Sequence, residues 1–170
     1  MPEKSAQERA QRDRRQGKSA STQAGEFVRE EMHHIRAGKH GARSTKQAIA
    51  IGLSKARRAG VRLKPPKAGT VSEKTRRSAE RTYASGAHGQ SKNSARRARA
   101  IASALKREGH SAASPRALSV QAQRAASKRT PAQRSAAALR AARTKGPARR
   151  SAAARKAAHT RAAQARSRTL

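Results

Sequence analysis

The chain has 170 residues and a formal net charge of +33, because 42 Lys and Arg face only 9 Asp and Glu. Leu, Ile, Val and Phe together number 15, well below the roughly 20% under which a highly charged sequence lacks a stable fold of its own. This composition excludes a single large globular domain, and it makes an anionic partner close to obligatory.

Nucleic acid is the polyanion that this composition favours. Each Lys or Arg that binds a polyphosphate releases condensed counterions, and this release favours binding. A membrane-surface helix needs Trp, Phe or Leu on its buried face, whereas the basic stretches of this chain offer almost only Ala. We therefore expect a nucleic-acid partner, with no membrane and no small-molecule substrate.

Residues 1–20 are polar, mixed in charge and without apolar periodicity, which is typical of a frayed helix or a flexible basic arm. They contain no apolar stretch of the kind found in secretory signals, and no run in the chain approaches the ~18 apolar residues of a membrane span. A cytoplasmic location is the resulting expectation. The absence of Cys excludes disulfides and thiolate metal sites.

Residues 21–64 contain half of the larger hydrophobic side chains, and they are the only segment predicted to form a folded module. Ser21 or Thr22 can cap a first helix that ends at Gly38. Its apolar stripe, which Glu31 interrupts, is formed by Ala24, Phe27, Val28, Met32 and Ile35.

A second helix follows, opened by the capping-box pair Ser44 and Gln47 and ended by Gly60. The apolar face consists of Ile49, Leu53 and Ala56. We expect a helical hairpin of about 40 residues that is marginal alone and forms at most a weak homo-oligomer. Its predicted phosphate contacts are Lys46, Lys55, Arg57, Arg58 and Arg62.

The run from Ser21 to Val61, STQAGEFVREEMHHIRAGKHGARSTKQAIAIGLSKARRAGV, resembles the signature segment of a family of small, highly basic bacterial proteins. The domain of that family is classed as being of unknown function. The resemblance implies a bacterial source. It implies no activity and no catalytic residues.

Residues 65–93 are predicted to form a linker, because Pro65, Pro66 and several Gly residues break secondary structure. Within this linker, residues 73–83 can form a short helix. The remaining residues, 94–170, form a basic Ala- and Arg-rich tail. Its first helix is expected to end at Gly109. Three repeats of 16 residues follow, each combining a helix-starting Pro with an Ala-rich body, at 115–130, 131–146 and 147–162.

The tail is expected to be disordered when free and helical when bound, because helices of about three turns are marginal in water. From Gly109 onward it has 15 Lys and Arg and no acidic residue. Its predicted phosphate contacts are Arg96, Arg97, Arg99, Lys106, Arg107, Arg124, Lys128, Arg129, Arg134, Arg140, Arg143, Arg149, Arg150, Arg155, Lys156 and Arg161.

The tail resembles those of linker histones and of bacterial histone-like proteins, which are rich in Ala, Pro and Lys. It departs from them in its preference for Arg, since the chain has 29 Arg against 13 Lys. Arg stacks on bases and pairs bidentately with phosphate, so RNA is also a suitable ligand.

No residue set supports an enzyme. The three His residues at 33, 34 and 40 lie near Glu30 and Glu31, but they match no defined zinc-ligand pattern, and Glu30 with His34 is typical of a solvated helical pair. The Ser and Gly residues form neither a nucleophile elbow nor a phosphate-cradling loop. We therefore predict no catalytic residue, no metal and no cofactor.

The sequence thus predicts a mostly α-helical protein with extensive disorder and no sheet. Its expected function is non-enzymatic, histone-like DNA binding in the nucleoid, largely independent of sequence. Two alternatives remain open: an RNA- or ribosome-associated basic protein, and a protein-interaction module whose tail anchors it to a polyanion.

Overall fold

The computed structural model describes residues 4–87 and 95–166. They form seven α-helices and one 3-10 helix, and no strand occurs among them. The elements are α1 (Lys4–Arg15), α2 (Ala20–Arg36), α3 (Thr45–Arg58), α4 (Glu73–Ala87), α5 (Ala95–Lys106), the 3-10 helix (Ser111–Ala113), α6 (Pro115–Ser127) and α7 (Pro131–Arg166). The predicted helical fold class is confirmed, while the extent of disorder stays a prediction.

The chain divides into two units, residues 1–121 and residues 122–170. We call the first the folded unit and the second the tail unit. No helix in the described part of the chain combines the length and the apolar character needed to cross a membrane.

Helices α2 and α3 form the predicted hairpin and pack against each other. The first begins slightly earlier than expected, because Ser19 rather than Ser21 or Thr22 is the N-cap: its Oγ accepts a hydrogen bond from the Thr22 amide at 3.3 Å. Gly38 follows the helix with a φ of +71°, a conformation that glycine adopts without steric cost.

The start of α3 is fixed by the predicted pair of capping residues. Ser44 Oγ accepts from the Gln47 amide at 3.2 Å, and the Gln47 side chain accepts from the Arg43 amide at 2.7 Å. Gly52 sets how closely the two hairpin helices approach, since a Cβ there would lie 2.7 Å from the Val28 Cα. A larger residue at this position would push the helices apart.

A first apolar cluster forms around Phe27, which is 1% exposed. Ala6 and Ala10 of α1 are buried in it together with Ala56 and Val61. Residues 4–15 are therefore a packed helix rather than the flexible arm that the sequence suggested. The reason is that two alanines four residues apart lie on the same helix face, and their small side chains let the helix pack closely against a large aromatic ring.

An ion pair supports the packing of α1. Arg9 Nε lies 2.6 Å from Glu26 Oε2 of α2. At the end of α1, Lys18 Nζ lies 2.6 Å from Asp13 Oδ1, whose side chain is largely buried. The sequence pattern alone does not predict which basic residue pairs with each of these two carboxylates.

A second apolar cluster joins Met32, Ile35 and Ala48 of the hairpin to Ala112 and Ala113. The segment is also tied by hydrogen bonds that run from Thr45 Oγ1 to the Ala112 carbonyl (2.7 Å) and from Arg36 Nε to the Ala113 carbonyl (2.8 Å). Residues 105–118 therefore belong to the folded unit, which corrects the predicted tail boundary at residue 94. This contact is formed by alanines, so the sequence contains no run of large apolar residues that would predict it.

The predicted linker also contributes to the folded unit. Helix α4 packs on α3 and buries Ala79. At its end Gly86 approaches the α3 backbone so closely that a Cβ would lie 1.9 Å from the Arg57 carbonyl oxygen. Part of the 65–93 segment is thus a structural helix rather than a spacer.

The tail unit is helical and interrupted at proline. At the start of α7, Thr130 Oγ1 accepts from the Gln133 amide and Gln133 Oε1 accepts from the Thr130 amide, both at 3.2 Å. This reciprocal pair is a capping box. Gly146 breaks the helix with φ 69° and ψ 167°, and Pro147 follows it. The predicted Pro-punctuated helical tail is confirmed.

Candidate nucleic-acid interface

The two units differ in how their acidic residues are distributed. No Asp or Glu occurs after residue 108, whereas most carboxylates in the described part of the folded unit contact basic side chains. The ion pairs are Glu26 with Arg9, Asp13 with Lys18, Glu31 with Lys55, Glu73 with Arg76 and Arg77, Glu80 with Arg76, and Glu108 with Arg43. The basic side chains of the tail have no acidic residue nearby in sequence to neutralise them.

One cleft in the folded unit lies between the ends of α1, α3 and α4. Its basic lining residues are Arg14, Arg57 and Arg62, and Tyr83 completes one side. The cavity measures about 240 Å³, and its lining residues include no carboxylate. We call it the arginine cleft. Three arginine residues and no acidic residue line this one cavity, which gives it a positive potential that favours an anion.

Arg57 is the most constrained of these residues. Its side chain is 7% exposed, and its Nε donates to the Leu63 carbonyl at 3.1 Å. Burial lowers the pKa of Arg57 from its ordinary value, because desolvation disfavours the charged form. A buried cation without a carboxylate partner is stabilised by an anion that reaches it, and a phosphate oxygen is such an anion.

Arg58 lines an adjoining cavity of about 220 Å³ together with Arg14, Gly60 and Phe27. Its Nη2 donates to Ser54 Oγ at 2.7 Å. Its Nε is buried, and none of the described residues accepts a hydrogen bond from it. Of the predicted hairpin contacts, Arg57, Arg58 and Arg62 therefore lie together beside this pair of cavities.

Lys46 and Lys55 lie elsewhere. Lys46 is exposed and stays a predicted phosphate contact. Lys55 is 19% exposed, and its Nζ lies 2.6 Å from Oε2 of the fully buried Glu31. It cannot contact phosphate without leaving a buried carboxylate unpaired, so its role in this structure is structural.

Sequence reasoning missed Arg14 and Tyr83. Arg14 lies in the segment that was expected to be an arm, and its position depends on the burial of Ala6 and Ala10. Tyr83 depends on the packing of α4 against α3. No local pattern reports either contact, because both arise from residues distant in sequence.

The predicted contacts of α5, of the segment after it, of α6 and of the tail unit are exposed wherever their side chains are described. Arg97 lies in α5, but its side chain is outside the described part of the chain. The exposed set is Arg96, Arg99, Lys106, Arg107, Arg124, Lys128, Arg129, Arg134, Arg140, Arg143, Arg149, Arg150, Arg155, Lys156 and Arg161. These side chains are accessible to a large ligand.

Residues 4–68 match the family of unknown function DUF6496. The matched segment covers α1 and the hairpin, so it includes all four arginines that line the two cavities, namely Arg14, Arg57, Arg58 and Arg62. It does not include the tail unit. No curated protein and no solved structure matches the chain.

Proposed function

We propose that this protein is a non-enzymatic, histone-like DNA-binding protein of the bacterial nucleoid that binds duplexes largely independently of sequence. The observation that carries the proposal is the exposed basic surface of the tail unit, which contains no Asp or Glu to balance it. Phosphates neutralise such a surface and release counterions, which is the main source of nonspecific DNA affinity.

The helical segments of the tail have a length suited to this role. A unit of about 16 residues rises roughly 24 Å. The break at Gly146 and Pro147 lets successive segments change direction, so that each follows the phosphate backbone independently. The Ala-rich body keeps the helices thin and brings the guanidinium groups close to the backbone.

The arginine cleft of the folded unit supplies a second contact of a different kind. Arg57 is held inside the cleft, whereas Arg14 and Arg62 are exposed at it. We propose that one backbone phosphate docks among these three groups. Such a contact orients the protein on the duplex without reading its sequence.

The scarcity of exposed aromatic side chains argues against stacking on single-stranded bases. Phe27 is 1% exposed, and Tyr83 is the one other aromatic residue of the Phe, Tyr and Trp set. Stacking on unpaired bases needs exposed aromatic rings, so phosphate contacts dominate.

RNA is the second candidate ligand, and the Arg content favours it, with 29 Arg against 13 Lys. Arg recognises structured RNA by stacking and by bidentate contacts to phosphate. Competition between a DNA duplex and a folded RNA hairpin of equal phosphate number discriminates between the two ligands.

Fluorescence anisotropy on duplexes of unrelated sequence, measured across a salt series, tests the proposal. If about eight phosphates are contacted, the slope of log K against log salt is near −7. Equal affinities for the unrelated duplexes are also expected. Affinity that does not change with salt, binding confined to one sequence, or a strong preference for the RNA competitor would each contradict DNA binding of this kind.

A further inference from the structure

A cluster of buried polar side chains that shares no residue with the arginine cleft lies near the end of α2. Glu31 is fully buried, His34 is 7% exposed, and His40 lies in the loop between α2 and α3. One ligand atom from each of the three residues lies within 4.8 Å of the others. Glu31 and His34 share a helix face because they are three residues apart.

The hydrogen bonding of His40 defines which of its nitrogens faces the cluster. Its Nδ1 lies 3.0 Å from the Gly41 carbonyl oxygen. A carbonyl oxygen only accepts, so Nδ1 carries a hydrogen and Nε2 is the ring nitrogen that could bind a metal ion through its lone pair. Metal-binding histidines commonly donate their other ring N–H to a carbonyl in this way.

This nitrogen lies close to a carboxylate. His40 Nε2 lies 3.4 Å from Glu31 Oε1, and no described residue donates a hydrogen bond to this oxygen. An imidazole nitrogen and a carboxylate oxygen at this distance in a buried site need a positive centre between them, which is either a proton or a metal ion. Two ligands bound tetrahedrally at about 2.0–2.1 Å from a zinc ion are about 3.4 Å apart, which equals the observed separation.

The loop that carries His40 is held in place by another part of the chain. The Gly41 amide donates to the Leu105 carbonyl at 2.9 Å, and the Ala42 amide donates to the Gly109 carbonyl at 3.0 Å. Glu31 is fixed as well, because Lys55 Nζ holds its Oε2 at 2.6 Å. This contact leaves Oε1 available as a single ligand atom.

We propose that Glu31, His34 and His40 form a binding site for one divalent transition-metal ion of the zinc type, with water as a fourth ligand. Two imidazoles and one carboxylate are a donor set that suits zinc. The Lys55 ammonium opposes the metal charge, so the affinity is lower than at a site without such a neighbour. Metal binding would tie the α2–α3 loop to α2 and stabilise the hairpin.

Titration of the full-length protein with Zn²⁺ alone, followed by calorimetry, tests the site. One ion per chain is expected, and His34→Gln or His40→Gln should each raise the dissociation constant roughly tenfold or more. His33→Gln is the matched control, because His33 lies on the same helix but is exposed; it should leave the constant unchanged. Equal losses in all three variants, or no saturable binding by the wild type, would overturn the proposal.

A measurement on the wild-type protein decides the question even if a variant does not fold. The imidazole C2–H signals of His34 and His40 should shift on addition of Zn²⁺, while those of His33, His110 and His159 should not. A uniform response of all imidazoles would show adventitious surface binding and would overturn the site. Signals for His34 and His40 that follow pH but not Zn²⁺ would identify a proton as the occupant, which would also overturn it.

Discussion

The folded unit and the tail unit carry the same basic residue types in opposite settings. In the folded unit Lys55 is largely buried and bound to the buried carboxylate of Glu31. In the tail unit Lys156 is exposed, and the sequence after residue 108 contains no Asp or Glu. The high net charge therefore has two parts: some basic side chains form ion pairs that stabilise the fold, and the others are exposed to solvent.

The largest expected effect is on the tail. Replacing four tail arginines by Gln should make the slope of log K against log salt shallower by up to about 3.6, because each phosphate contact contributes about 0.9. The affinity for duplex DNA at low salt should fall accordingly, and anisotropy titrations measure both. The four substitutions are Arg134→Gln, Arg140→Gln, Arg155→Gln and Arg161→Gln.

A control with the same change in net charge separates the tail from bulk charge. It places four Gln substitutions at exposed positions of the folded unit, and it should change the slope by less than half as much. The control substitutions are Arg12→Gln, Lys67→Gln, Lys74→Gln and Arg81→Gln. If both quadruple variants lose the same affinity, net charge alone governs binding and the distinction between the units fails.

The second effect concerns the stability of the folded unit. Lys55→Met should lower its free energy of unfolding by roughly 3–5 kcal/mol, because it leaves Glu31 as a buried and poorly paired carboxylate. Lys156→Met makes the same substitution in the tail and should stay within about 0.5 kcal/mol. Urea unfolding followed by Tyr83 fluorescence reports on the folded unit, since Tyr83 is the only Tyr and the chain has no Trp.

The result for Lys55→Met also tests its assignment as a structural residue. Under conditions in which the variant is folded, its affinity for duplex DNA should match that of the wild type. A variant that keeps wild-type stability but loses affinity would instead return Lys55 to the set of phosphate contacts.

The third effect separates binding from stability within the folded unit. Arg57→Met should weaken DNA binding roughly tenfold, because a charge-assisted hydrogen bond to phosphate is lost. It should not lower the stability of the free protein, because it also removes a desolvated cation. Arg81→Met, at an exposed position outside the cleft, is the control. A loss of stability with unchanged affinity would show that Arg57 supports the fold rather than the ligand.

Local signals in the sequence predicted the hairpin well. Ser44 and Gln47 define the start of α3 through short-range hydrogen bonds, and Gly38 and Gly60 follow the two helices with positive φ. Such features depend on residues a few positions apart, so that the sequence contains all the information they need. Glu31, which interrupts the apolar stripe, marked an unusual position without revealing its partner.

The contacts that the sequence did not predict involve small residues distant along the chain. Ala6 and Ala10 seat α1 on Phe27, and Ala112 and Ala113 cover Ile35. In a chain with this much Ala, an alanine pair carries little information about burial. The arginine cleft and the Glu31 cluster depend on these contacts, which explains why composition predicted a basic ligand surface but not its geometry.

The smallest effect is in α4. The hydrogen bond from Arg76, and to a smaller extent the one from Arg77, lowers the pKa of Glu73 below its ordinary value. The folded state therefore binds this proton more weakly than the unfolded chain does. The resulting stabilisation is fully present above the ordinary Glu pKa and is lost as the pH falls through the lowered pKa. Because the Glu73 side chain is exposed to solvent, this stabilisation is small.

Glu73→Gln should thus be slightly less stable than the wild type near neutral pH, and the two proteins should converge in acid. The same fluorescence-detected unfolding, repeated at several pH values, measures the gap. This dependence has no counterpart among the tail side chains, because no Asp or Glu occurs after residue 108. A gap that stays constant across the acid range would mean that Glu73 acts through helix propensity rather than through its charge.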